Sequence, residues 1–128
     1  MGDQAFSAGL VSARSGDELR GSARVRISPD LPISEDFESI PEGKVPPGWV
    51  GVASKTQVID QGGKVLKKLA SKARPSPAFM RLRAYATPPI EGGYTVQADL
   101  FGKLARKRFK PDMGLINSRY RFIMMGMR

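Results

Sequence analysis

Apolar and polar positions alternate along this chain in short runs, and glycine or proline interrupts them at close intervals. Ten prolines and fourteen glycines predict brief strands joined by tight turns rather than a helical bundle. Residues 22–27 place Ala23, Val25 and Ile27 on one face, because successive side chains of a strand point to opposite sides. Residues 8–13 read as the partner strand, with Ser15-Gly16-Asp17 as the turn of a hairpin. Further strands are expected over 49–53, 56–59 and 64–69, the last two joined through Gln61-Gly62-Gly63. Alternation continues over 79–85 and over 94–101, where Tyr94, Val96, Ala98 and Leu100 share a face. The last expected strands are 113–117 and 119–125.

Residues 65–72 also fit a short amphipathic helix, but the run is brief and Gly62-Gly63 precedes it, so a strand is preferred. Residues 104–110 read as a polar loop. The prolines of Ser28-Pro29-Asp30-Leu31-Pro32 stop strand pairing and fit an extended connector, which places a module boundary at 29–34.

A chain of 128 residues with 41% apolar content supports one ordinary domain. No stretch approaches the roughly 20 apolar residues that a membrane span needs, so no membrane insertion is expected. The first residues have neither a basic nor an apolar signal segment, so an export signal would lie upstream of Met1.

The net charge of +9 is unevenly placed. Residues 1–40 carry four basic and seven acidic side chains, and residues 41–128 carry seventeen and five. A basic surface of that kind attracts nucleic acid, anionic lipid or acidic polysaccharide.

The chain lacks cysteine and histidine. That excludes disulfides, thiolate nucleophiles, Ser–His and Cys–His catalysis and the usual zinc sites. Gly62-Gly63 and Gly92-Gly93 fit neither a dinucleotide nor a P-loop pattern and read as turns.

Two segments resemble known families. Ala8-Gly9-Leu10-Val11-Ser12-Ala13, a turn, and Gly21-Ser22-Ala23-Arg24-Val25-Arg26-Ile27 resemble the closing strands of a bacterial Ig-like domain. Farther on come Asp36-Phe37-Glu38, Val45-Pro46-Pro47-Gly48-Trp49, Lys64-Val65-Leu66 and Pro88-Pro89. They are followed by Tyr94-Thr95-Val96-Gln97-Ala98-Asp99 and Pro111-Asp112-Met113-Gly114-Leu115-Ile116-Asn117-Ser118-Arg119-Tyr120. This order is similar to a jelly-roll, concanavalin A-like domain that follows a PQQ-binding-like β-propeller in envelope proteins of planctomycete-type bacteria.

The resemblance implies an all-β chain, an antiparallel β-sandwich (partial jelly roll) with an N-terminal Ig-like β-hairpin. The expected organisation is Ig-like strands over 1–28, the linker at 29–34 and a partial jelly roll over 35–128. It also implies an extracytoplasmic setting, periplasm or cell surface, and a chain truncated at both ends. Truncation would leave Phe122-Ile123-Met124-Met125 as an unpartnered apolar edge. The resemblance carries no catalytic motif, so the expected function is non-catalytic: carbohydrate binding, with polysaccharide or acidic glycan as partner, or structural spacing within a larger chain.

Candidate sites follow. Glu35, Asp36 and Glu38 cluster in sequence and could ligate a structural calcium, which such modules hold between first and last strands, or act as a glycosidase pair. The plainer reading leaves them solvated on a strand exterior. Trp49, the single tryptophan, follows Pro46-Pro47-Gly48, where it would either stack on a sugar or pack in the core. Arg119 and Arg121 alternate with Tyr120 and Phe122, which fits a ligand-binding face through Arg119 and Tyr120 or simply the solvent side.

Lys103, Arg106, Lys107, Arg108 and Lys110, together with Lys67, Lys68, Lys72, Arg74, Arg81 and Arg83, could form a phosphate-binding surface. Only Phe109 interleaves with the 103–110 cluster, whereas single-strand binders stack bases on several aromatics. A nucleic-acid-binding protein is therefore the alternative from a different class, and a glycoside-processing enzyme using Glu35 or Glu38 is the third.

Overall fold

A computed structural model of the chain describes residues 6–70, 81–104 and 110–126. Residues 79–80 of the strand expected over 79–85, the cations Lys72, Arg74 and Arg106 to Arg108, and Phe109 lie outside the described residues. The fold is all-β: the described residues contain six strands and no helix. The strands pair as three antiparallel two-stranded ribbons. Two compact units emerge, Met1–Pro88 and Pro89–Arg128, and the 29–34 connector lies inside the first.

In the first unit, β1 (Ser7–Ser15) pairs with β2 (Glu18–Ile27). A two-residue turn closes the hairpin, and Gly16 takes the positive φ (60°) that such a turn requires of its first position. The register shifts between Ala13 and Arg14, leaving Arg20 as the extra residue of a bulge. Every residue of both strands is exposed. Directly opposed residues share a face, so Gly9, Val11, Ala13, Gly21, Ala23, Val25 and Ile27 form one uncharged face. Ala8, Leu10, Ser12, Ser22, Arg24 and Arg26 form the other.

β3 (Thr56–Asp60) and β4 (Lys64–Lys68) form the second ribbon, closed by the expected Gln61-Gly62-Gly63 turn. Its alternation puts Thr56 and Val58 inward, and both are buried. The other edge of β3 is occupied as well: Gly43 N donates to Val58 O (2.9 Å) and Val58 N donates to Lys44 O (2.8 Å). Phe6, Ile40, Pro46, Val52, Thr56 and Val58 make up the small core. Thr56 satisfies its buried hydroxyl by donating to Val52 O at 2.7 Å.

Two expected strands of this unit do not form as drawn. Residues 49–53 and 81–85 meet in one bridge, Val50 with Tyr85, with reciprocal bonds of 2.9 and 3.0 Å. Gly51 at φ 83° and Ser54 at φ 62° turn the chain away before a ladder can lengthen. A Cβ on Gly51 would collide with the Arg83 carbonyl, so the close approach of the two segments requires glycine there.

In the second unit, β5 (Met113–Asn117) pairs with β6 (Tyr120–Met124) across Ser118-Arg119. Arg119 thus sits in a turn rather than in a strand, because Ser118 adopts a positive φ of 53°. Met113, Leu115, Phe122 and Met124 share one face, with Phe122 73% exposed. Residues 94–101 form no strand despite their alternation. A period-2 pattern supplies a face but not a pairing partner, and Val96, Leu100 and Phe101 stay exposed.

Candidate functional site

The carboxylates expected to act together are each engaged separately by the backbone. Glu35 Oε1 accepts from Phe37 N at 2.8 Å, and Asp36 Oδ1 accepts from Glu38 N at 3.0 Å. These side chain-to-backbone bonds two residues on are turn chemistry, and they support the positive φ of Phe37 (64°). Glu38 reaches across to the second ribbon: its Oε1 accepts from Lys64 N at 2.8 Å. Lys64 returns the contact, its Nζ donating to Glu38 O (2.7 Å) and Ile40 O (2.8 Å). The structure therefore uses Glu38 and Lys64 to clamp the 35–40 turn onto β4.

It does not gather Glu35, Asp36 and Glu38 into a calcium cage. Among the described residues, no group of three or more His, Cys, Asp or Glu side chains is placed to hold a metal ion.

Turn chemistry also explains the one perturbed carboxyl among the described residues. Asp60 Oδ1 accepts from Gly62 N (2.9 Å) and Gly63 N (3.2 Å). The Gly63 bond and then the Gly62 bond hold its pKa below the usual 3.8 against a slight desolvation, and the Lys64 charge adds the smallest contribution.

Trp49 is half-buried and packs edge-on against two rings. Phe37 lies 5.7 Å away at 68° and Phe6 6.3 Å away at 75°. The indole N–H is buried without a hydrogen-bond partner among the described residues. An orphan donor of this kind costs roughly 1–3 kcal/mol, a cost the three-ring packing must exceed. Gly48 brings the loop close to the base of the first ribbon, where a Cβ would lie 3.2 Å from Ser7 O. Trp49 therefore joins the base of the first ribbon to the 35–40 turn through its contacts with Phe6 and Phe37.

Trp49 belongs to the first unit, and Arg119 and Tyr120 belong to the second. At the tip of the third ribbon, Arg119 is exposed and Tyr120 is 73% exposed opposite Asn117. The Asn117 Oδ1 accepts from the Tyr94 hydroxyl at 2.5 Å, which fixes the 94 segment to the tip. Arg121, opposite Ile116, faces away from Tyr120.

Lys67 and Lys68 point to opposite sides of β4, as neighbours in a strand must.

Sequence reasoning missed one arrangement. Arg24 and Arg26 stand on the same face of β2, with exposed Leu10 directly opposite Arg24. Arg26 also lines a shallow cleft of about 180 Å³ shared with Ile27, Val50, Tyr85 and Pro88. The alternation of residues 22–27 already implied the arginine face. The cleft depends on the distant Val50–Tyr85 bridge.

No family model, curated protein or solved structure matches this chain. What it does must be argued from the site itself. Among the described residues, no helix is long and apolar enough to cross a membrane.

Proposed function

We propose that this chain is a non-catalytic β module of a larger extracytoplasmic envelope protein, where it serves as a spacer that presents a binding face. The observation that carries this reading is the commitment of the candidate reactive groups to architecture. Glu35 and Asp36 brace a turn, Glu38 clamps β4 through Lys64, and Trp49 packs between Phe6 and Phe37. Each of these carboxylates turns an oxygen toward a backbone amide of the chain itself rather than toward a shared substrate position.

The exposed ribbons support the same reading. β1–β2 shows an uncharged face with Val11, Val25 and Ile27 exposed, and β5–β6 an apolar one with Phe122 and Met124 exposed, each two strands wide. An isolated two-stranded ribbon is marginal in water, and a sandwich closes by laying a second sheet on such faces. In the proposed setting, neighbouring parts of the parent protein supply those strands.

Reducing-end release from a panel of plant, algal and bacterial polysaccharides tests the reading. No release by the full chain is expected. Release that disappears on Glu38→Gln would establish a glycoside-processing enzyme instead.

A further inference from the structure

The arginine face of the first ribbon is distinct from every site anticipated above. Arg24 and Arg26 are two residues apart on one strand, so their Cα atoms lie about 7 Å apart on the same side. Both are exposed, and neither forms a salt bridge among the described residues; the ion pair of this ribbon is Arg20 with Glu18. The same face of the ladder from Ala8 to Ser12 and from Ser22 to Arg26 carries no acidic residue.

Apolar surface is interleaved with the charge. Leu10, 67% exposed, stands opposite Arg24, and Ala8 stands opposite Arg26. Past Arg26 the row runs into the shallow cleft, where Tyr85 is 40% exposed beside Val50.

We infer that this face binds an acidic polysaccharide, a polymer bearing carboxylate or sulfate groups, with its anions on Arg24 and Arg26 and a sugar ring against Tyr85. Charge complementarity chooses a polyanion. Guanidinium groups pair bidentately with planar carboxylates and with sulfate oxygens, and they do so best where no acid competes. The apolar elements then choose among polyanions. A sugar presents C–H faces between its charged groups, and those faces fit Leu10 and the ring of Tyr85. A single-stranded nucleic acid needs several aromatics for its bases, and β1–β2 has none. The inference rests on the reading of the chain as a non-catalytic module and names the ligand class of its exposed face.

The test is titration of the full chain with polygalacturonate at low and at moderate salt. Dextran serves as the neutral control and oligo(dT) as the nucleic-acid control. Binding to polygalacturonate that weakens with salt is expected, with no binding to dextran. Arg24→Gln/Arg26→Gln should weaken it about tenfold or more, since both guanidinium contacts to the polyanion are lost. Tyr85→Leu should weaken it about threefold or more, by removing the ring contact.

Arg24→Lys/Arg26→Lys keeps the charge and loses the planar fork. Affinity between that of the parent and the glutamine variant is expected, and it separates guanidinium recognition from net charge. Unchanged affinity in the glutamine variant, or tighter binding to oligo(dT) than to polygalacturonate at equal salt, overturns the inference. Cleavage of bound polygalacturonate would overturn the non-catalytic reading while leaving the binding face intact.

Discussion

The first and second ribbons share a topology and differ in almost everything else. β1–β2 has strands of nine and ten residues, all exposed, whereas β3–β4 has two five-residue strands, with Val58 fully buried. The shorter ribbon has the core because other segments pack on it: Gly43 and Lys44 pair with its edge, and Ile40, Pro46 and Val52 join its inner face. Among the described residues, the longer ribbon is anchored at its base, through Phe6 and the Gly48–Trp49 loop. Ladder length does not set burial here. The number of packed layers does, as expected when hydrophobic burial drives folding.

Substitutions can break this contrast, and the largest effect should come from Gly51. Gly51→Ala forces a side chain into the Arg83 carbonyl at a positive φ, and about 3 kcal/mol of stability should be lost. Urea unfolding followed by Trp49 fluorescence reads it directly. The next largest effect is at the buried valine: Val58→Ala should cost about 2 kcal/mol, from lost burial plus the cavity left behind. Val25→Ala, the same truncation on the open ribbon, should change stability by less than about 0.5 kcal/mol. Equal costs at the two valines would mean that both ribbons are equally packed.

The smallest effect is the pH dependence of the second hairpin. Asp60 has a folded pKa below its ordinary value, so its contribution is present above pH 3.8 and lost as the pH falls through the lowered value. The urea midpoint should decline below pH 3.8 in the parent chain. Asp60→Asn should remove that part of the decline.

How far the sequence revealed this structure depended on the distance over which each feature is specified. The hairpins at Gly16-Asp17 and Gly62-Gly63 were legible because turn chemistry and strand period are local signals. The strand at 64–68 won over the helical reading for the same reason: the two glycines turned it back onto Thr56–Asp60. Residues 94–101 show the opposite case, since their alternation names a face but pairing must come from elsewhere.

At the candidate site, Glu35, Asp36 and Glu38 were visible as a cluster. That two of them serve amides two residues away could have been read from the acid-rich turn, but the Glu38–Lys64 clamp could not. It joins positions 26 residues apart in the chain. Tyr85 entered the cleft beside Arg26 by the same kind of long-range contact.

Native-state hydrogen exchange on the full chain tests the central contrast most directly, because it reports local opening residue by residue. The account predicts that the amides of Val58, Val50 and Tyr85 exchange slowest, and that the β1–β2 ladder from Gly9 to Val25 exchanges markedly faster. Protection of the first ribbon equal to that of β3–β4 would contradict it.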